Sequence, residues 1–76
     1  MTGKERITLA RRLRELRNNK GLTRQALANL AELSMSVVAA IEQGRIPDPR
    51  GSTLAKLAAA LGCKLDDLLP PSTEDR

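Results

Sequence analysis

Thirteen Lys and Arg against nine Asp and Glu give this 76-residue chain a net charge of +4, unevenly placed. Residues 1–25 hold eight of the basic groups (Lys4, Arg6, Arg11, Arg12, Arg14, Arg17, Lys20 and Arg24) against Glu5 and Glu15, a local net charge of +6. Residues 26–76 hold five against seven, a net −2. Clustered guanidinium and ammonium groups bind polyanions, so the chemistry on offer is recognition of a negatively charged partner by one basic side. A solvated basic helix face gives the same count, and charge does not separate the two. Covalent chemistry has far less to work with. Histidine is absent, and the one cysteine, Cys63, has no evident base. No carboxylate constellation or glycine-rich phosphate loop is present, and the spacing of Gly44 and Gly51 matches no nucleotide motif. These absences argue against an enzyme, against a cofactor or small-molecule ligand, against an internal disulfide and against a metal site of the usual Cys/His kind.

The elements that must position those charges are short. A chain of this length forms one small domain with a thin core, so every apolar face has to be used. Without Phe, Tyr or Trp the core is built from Leu, Ile, Val, Ala and Met, which favours closely packed short helices. The same lack removes the aromatic platforms on which unpaired bases stack, an argument against a single-strand binder. The longest apolar runs, Val37–Ile41 and Leu57–Leu61, fall far short of the about 20 residues of a membrane span. Arg11, Arg12 and Arg14 interrupt the first apolar window, which argues against a signal peptide. The composition points to a soluble protein of a reducing compartment, the cytoplasm.

Taken in order, residues 1–6 carry no apolar pattern and are expected to be a disordered start, with the domain over 7–69. Leu9, Leu13 and Leu16 lie on one stripe of a 3.6-residue period, which predicts a helix from Ile7 that ends before Gly21. Thr23 is a candidate N-cap for a second helix over Arg24–Ala31, with Leu27, Ala28, Leu30 and Ala31 as its apolar set. The break is Glu32-Leu33-Ser34, and Ser34 caps a third helix from Met35 to Gln43, stopped at Gly44. Leu33, Val38 and Ile41 supply the second apolar set. RIPDPRG (45–51) is a loop, because neither proline fits a helix interior. Ser52 is the expected cap of a fourth helix, with Leu54, Leu57, Ala58 and Leu61 on one face and Gly62 at its end. A fifth helical turn spans Lys64 to Leu69, with Asp66 and Asp67 near its start. Pro70-Pro71 stops it, and 70–76 reads as a flexible tail. The fold class expected is all-α, five short helices.

At LRELRNNKGLT (13–23), QALANLAELS (25–34), IEQGR (41–45) and TLAKLAAALGCKLDDLL (53–69), the chain resembles the phage-repressor and Cro-like, or XRE-like, helix-turn-helix domains. Several separate pieces agree in order and spacing. The resemblance implies a lambda-repressor-like fold with the third helix in the DNA major groove and the head of the second against phosphate. It implies phosphate contacts from Thr23 and Arg24, and a second clamp from Gln43, Arg45 and Arg50. It places Met35, Ser36, Val37, Ala39 and Ala40 towards base edges, a face poor in hydrogen-bonding groups, with Met35, Val37 and Ala40 suited to thymine methyls. It pairs Arg17 with Glu42 across the first and third helices, where a surface charge is the plainer reading of Arg17. Glu32 departs from the glycine common at the turn, where φ is positive.

What the resemblance implies about function is a sequence-specific double-stranded DNA-binding transcriptional regulator, a repressor, of prokaryotic or phage type. It would act as a homodimer on a palindromic operator and be nucleoid-associated. Leu65, Leu68 and Leu69, with Ile7, are the candidate dimer contacts, and sealing the core is the competing role. The alternative is a protein-interaction module, antitoxin-like or a co-regulator subunit, docking through the apolar third or fifth helix. Cys63 is expected to be a buried, inert thiol; a redox role would need an exposed, electropositive setting, and Lys64 is the one hint of it.

Overall fold

In the computed structural model, which describes residues 8–69, the chain forms α1 (Leu9–Asn19), α2 (Arg24–Ala31), α3 (Met35–Glu42), α4 (Gly51–Leu61) and α5 (Leu65–Leu68). No strand occurs among the described residues, so the architecture is all-α, with the five helices that the apolar spacing predicts. The expected disordered start (1–6), Ile7 and the expected tail (70–76) lie outside the described residues.

Hydroxyl groups open the first three helices. Thr8 Oγ1 accepts from the Arg11 N–H (3.2 Å), Thr23 Oγ1 from the Ala26 N–H (3.0 Å) and Ser34 Oγ from the Val37 N–H (3.2 Å). Each satisfies one amide that the helix itself leaves without a partner. The fourth helix departs from expectation. It starts at Gly51, with Arg50 in the cap position and no side-chain cap bond, so Ser52 lies inside the first turn. At α5 the Asp67 carboxylate accepts from the Lys64 N–H (3.2 Å), the reciprocal half of a capping box.

The core forms where one stripe from each helix meets. Leu9 and Leu13 of α1, Leu27, Ala28 and Ala31 of α2, and Val38 and Ile41 of α3 close over Leu54, Leu57, Ala58 and Leu61 of α4, and Leu68 of α5 seals it. α2 packs on both α3 and α4, and α1 on α3 and α5. Ala28 is fully buried, so the small residue stands where backbones approach. Leu30, expected in this set, is 58% exposed. Residues advance about 100° per step, so Leu30 points about 100° away from the middle of the face made by Leu27, Ala28 and Ala31.

Between α2 and α3 the backbone turns through Glu32 at φ 59°, ψ 43°, a left-handed conformation. The Leu33 N–H then reaches back to the Ala28 carbonyl (2.9 Å), and Leu33 packs against the core. At the end of α4 the same ending falls on Gly62, at φ 69°, where no side chain is strained. Glu32 has a Cβ and a carboxylate at the negative end of α2, both unfavourable there. Glu32→Gly is expected to stabilise the domain by about 1 kcal/mol, raising Tm by about 4–8 °C. Thermal unfolding followed by circular dichroism checks this, and an unchanged or lower Tm would contradict it.

Candidate nucleic-acid interface

The head of α2 and the end of α3 are joined to α1 through one carboxylate. Glu42, the last residue of α3, has a fully buried side chain. Its Oε2 accepts from Arg17 Nε at 2.6 Å, and its Oε1 accepts from Arg17 Nη2 at 3.0 Å and from Arg24 Nε at 2.9 Å. The third donor of Arg17, Nη1, goes to the Leu22 carbonyl at 2.8 Å. The Arg17–Glu42 pair is therefore as expected, and it is a two-pronged one, the strong form of such contacts. Arg24 is its third member. No periodic pattern links positions 24 and 42, and the one advance signal was an arginine at the head of a helix that must pack on α3.

Burial by itself pushes the Glu42 carboxyl up, while hydrogen bonds from Arg17 and Arg24 and then their charges act downward and win. The carboxyl is held below the usual glutamate range.

The expected phosphate-contacting side chains all lie at helix boundaries. Thr23 is exposed at the α2 cap, Arg24 is 37% exposed, and Gln43 and Arg45 follow α3. Gln43 Oε1 accepts from Arg45 Nε at 3.0 Å, so these two are joined. Arg50 is exposed on the rim of an open groove of about 340 Å³ between α3 and α4, with Val37, Ile41, Ile46 and Thr53 on its walls.

On α3 the five expected base-facing residues separate. Met35 (42%) and Ser36 are exposed, and Val37 and Ala39 are half-buried. Ala40 is buried (8%), with its carbonyl accepting from the Arg45 and Ile46 amides. Its methyl lies beneath the surface and offers nothing to a groove, so Ala40 leaves the candidate reading face. Val37 packs partly on the core and presents only an edge.

The expected dimer contacts also divide. Leu68 is fully buried in its own domain and cannot meet a second copy; it is the seal of the core. Leu65 is 39% exposed and Leu69 half-buried. Cys63 is half-buried, and burial pushes its thiol up; Asp67 adds to this and Lys20 works against it. The cation acting on the thiol is therefore Lys20, and the net direction is towards the unreactive protonated form. Among the described residues no group of three or more Cys, Asp or Glu could hold a metal ion, and no helix is long and apolar enough to cross a membrane.

Two short helices joined by a left-handed turn, the second clamped to a supporting first helix, define a helix-turn-helix domain. The chain belongs to the phage-repressor, XRE-like helix-turn-helix family of DNA-binding transcription regulators: the model described as a helix-turn-helix domain matches residues 8–70. HigA2 of Mycobacterium tuberculosis, a proposed antitoxin, is 46% identical over 55 residues, 72% of this chain and 54% of that protein. The chain spans about half the length of the curated relatives it matches. Among solved structures, the restriction-modification controller protein C.AhdI from Aeromonas hydrophila is 38% identical at a TM-score of 0.76, over 80% of this chain and 91% of that one. The P22 c2 repressor, solved in complex with a synthetic operator, is 27% identical at a TM-score of 0.74, over 82% of this chain and 92% of that one.

Removing Arg17 strips the buried Glu42 carboxylate of two of its three hydrogen bonds and leaves Arg24 alone to balance it. Arg17→Ala is expected to cost about 3–5 kcal/mol, most of what a core this size supplies. Urea denaturation measures it, and a loss below about 1 kcal/mol would contradict a buried pair. The pH dependence has a fixed sign. Above the usual glutamate range Glu42 is ionised in both states and its contribution is complete. As pH falls, the unfolded chain takes up the proton first, and the contribution is lost on the way down through the folded value. Stability should fall from about pH 5 downward, less steeply in Glu42→Gln. Equal slopes in the two proteins would remove Glu42 as the source.

Proposed function

We propose that the chain is a sequence-specific double-stranded DNA-binding transcriptional regulator, a repressor, that acts as a homodimer on a palindromic operator with α3 in the major groove. The observation that carries this reading is Arg24, a partly exposed guanidinium fastened at the open end of α2 beside α3. Amides at a helix start favour phosphate, and a cation fixed next to them adds to that preference. The P22 c2 repressor, whose fold this chain shares, was solved bound to a synthetic operator, which supports DNA as the partner. Thr23 and Arg24 form one phosphate clamp, and Gln43, Arg45 and Arg50 the other. Met35, Ser36, Val37 and Ala39 face the bases. The protein works in the cytoplasm at the nucleoid, without a cofactor.

Leu65 and Leu69 of the α5 region make the dimer contact in this reading. Two half-sites one helical turn apart provide the affinity that one small domain lacks. A second reading is favoured by HigA2, 46% identical to this chain: a protein-docking, antitoxin-like module that uses exposed Met35 or Leu65.

Titration of duplex DNA at several salt concentrations separates the two. Neutralising Z phosphates gives a log–log slope of about −0.9Z, and Arg24→Ala should make it shallower by about 1. A chain that binds no duplex at any salt favours the docking reading. Selection of bound duplexes from a random pool should return inverted repeats, and sites without two-fold symmetry would remove the palindromic homodimer. Leu69→Glu is expected to halve the mass in solution and weaken operator binding. If neither changes, the α5 contact is wrong.

A further inference from the structure

One carboxylate serves two arginines, and the two are used differently. Arg17 is 13% exposed and each of its nitrogens, Nε, Nη1 and Nη2, already donates to Glu42 or the Leu22 carbonyl, so little of it faces a ligand. Arg24 is 37% exposed, and only its Nε donates; neither terminal nitrogen has a hydrogen-bond partner among the described residues. The charges follow the same division. Arg17 balances Glu42, so the cluster as a whole carries the net positive charge of Arg24.

We infer that Glu42 is a positioning residue for phosphate recognition: by accepting from Arg24 Nε at 2.9 Å, it fixes the guanidinium plane at the head of α2 with its terminal nitrogens free for a duplex phosphate. A guanidinium is a flat fork, so holding one edge orients the other. An arginine held this way loses less freedom on binding than one that swings in solvent. The same carboxylate fastens α3 to α1, so the phosphate contact and the reading helix share one anchor. Their relative placement is set before the partner arrives. This inference rests on the DNA-binding reading.

The test measures binding to a duplex recovered by selection, or to a mixed-sequence duplex at low salt if selection returns none. A salt series compares the unsubstituted chain with Arg24→Ala, Arg24→Lys, Glu42→Gln and the Arg24→Ala/Glu42→Gln double variant. Circular dichroism establishes that each is folded at the assay temperature. Arg24→Ala should lose about tenfold in affinity and make the salt slope shallower by about 0.9. Glu42→Gln should reproduce most of that loss and the slope change, yet cost less than about twofold more in the Arg24→Ala background. Arg24→Lys should keep a charge but lose affinity several-fold, because an ammonium is no fork.

A purely structural Glu42 predicts equal losses in both backgrounds with the slope unchanged. Tighter binding by Glu42→Gln would mean that the carboxylate sequesters Arg24. Either result overturns the inference alone. If Glu42→Gln does not fold, Arg24→Lys decides: several-fold loss supports the positioned fork, and full affinity overturns it. An unsubstituted chain that binds no duplex overturns the DNA-binding reading and this inference together.

Discussion

A carboxylate taken out of water at the end of an eight-residue helix is costly, and the way Glu42 offsets that cost organises the domain. Its two oxygens accept three N–H bonds from two guanidiniums. Desolvation of such a group costs several kcal/mol, which attraction and hydrogen bonds recover only when the geometry is good. The net gain in stability is therefore modest, while the loss on removing one partner is large. That asymmetry makes the cluster a constraint on geometry more than a source of stability. It fixes where the end of α3 lies relative to α1 and to the start of α2. A core of Leu, Ala, Val and Ile, with no ring to key it, specifies that relation weakly.

The helices joined at this point could not hold themselves. α2 and α3 have eight residues each, below the length at which an isolated helix is stable in water. Their ends are satisfied locally instead, by Thr23 and Ser34 at the starts and by the left-handed turn at Glu32. Caps of this kind contribute about 1 kcal/mol each. Packing on α1 and α4 does the rest. Strain at Glu32 persists because the elements on both sides of it are fixed by other contacts.

Much of this was legible in the chain because it is local. The bounds of α2 follow from Thr23, the apolar spacing and the break at Glu32-Leu33-Ser34, and the structure gives Arg24–Ala31. What the sequence hid is mostly angular or tertiary. Leu30 is apolar and three residues from Leu27, yet it points to solvent because Ala28 and Ala31 pull the buried face the other way. Leu68 and Leu65 read alike in the chain and end differently, one fully buried and the other partly exposed, since a four-residue helix buries one side only. α4 starts without a capping side chain, so Ser52 drew the boundary two residues too far along. The Arg17–Glu42 pair is legible through resemblance, whereas Arg24 joins it through a tertiary contact that no local pattern marks.

The rigid frame and the poor reading face bear on each other. If α3 occupies the major groove as proposed, Ser36 is the one hydroxyl there, beside Met35, Val37 and Ala39. Bidentate contacts from Asn, Gln or Arg, worth about 1–3 kcal/mol of discrimination each, are missing. Apolar contact with thymine methyls is weaker and depends steeply on distance, because dispersion fades within an ångström of poor fit. Phosphate contacts carry no sequence information of their own, but they set register and orientation. A reading face made of methyl and thioether groups therefore needs a backbone clamp held more closely than a hydrogen-bonding face does. It also leaves a larger share of discrimination to the shape and bendability of the site, which a rigid clamp reads as energy. A fixed Arg24 and an apolar α3 are consistent parts of one design, in which accuracy of placement stands in for polar contacts.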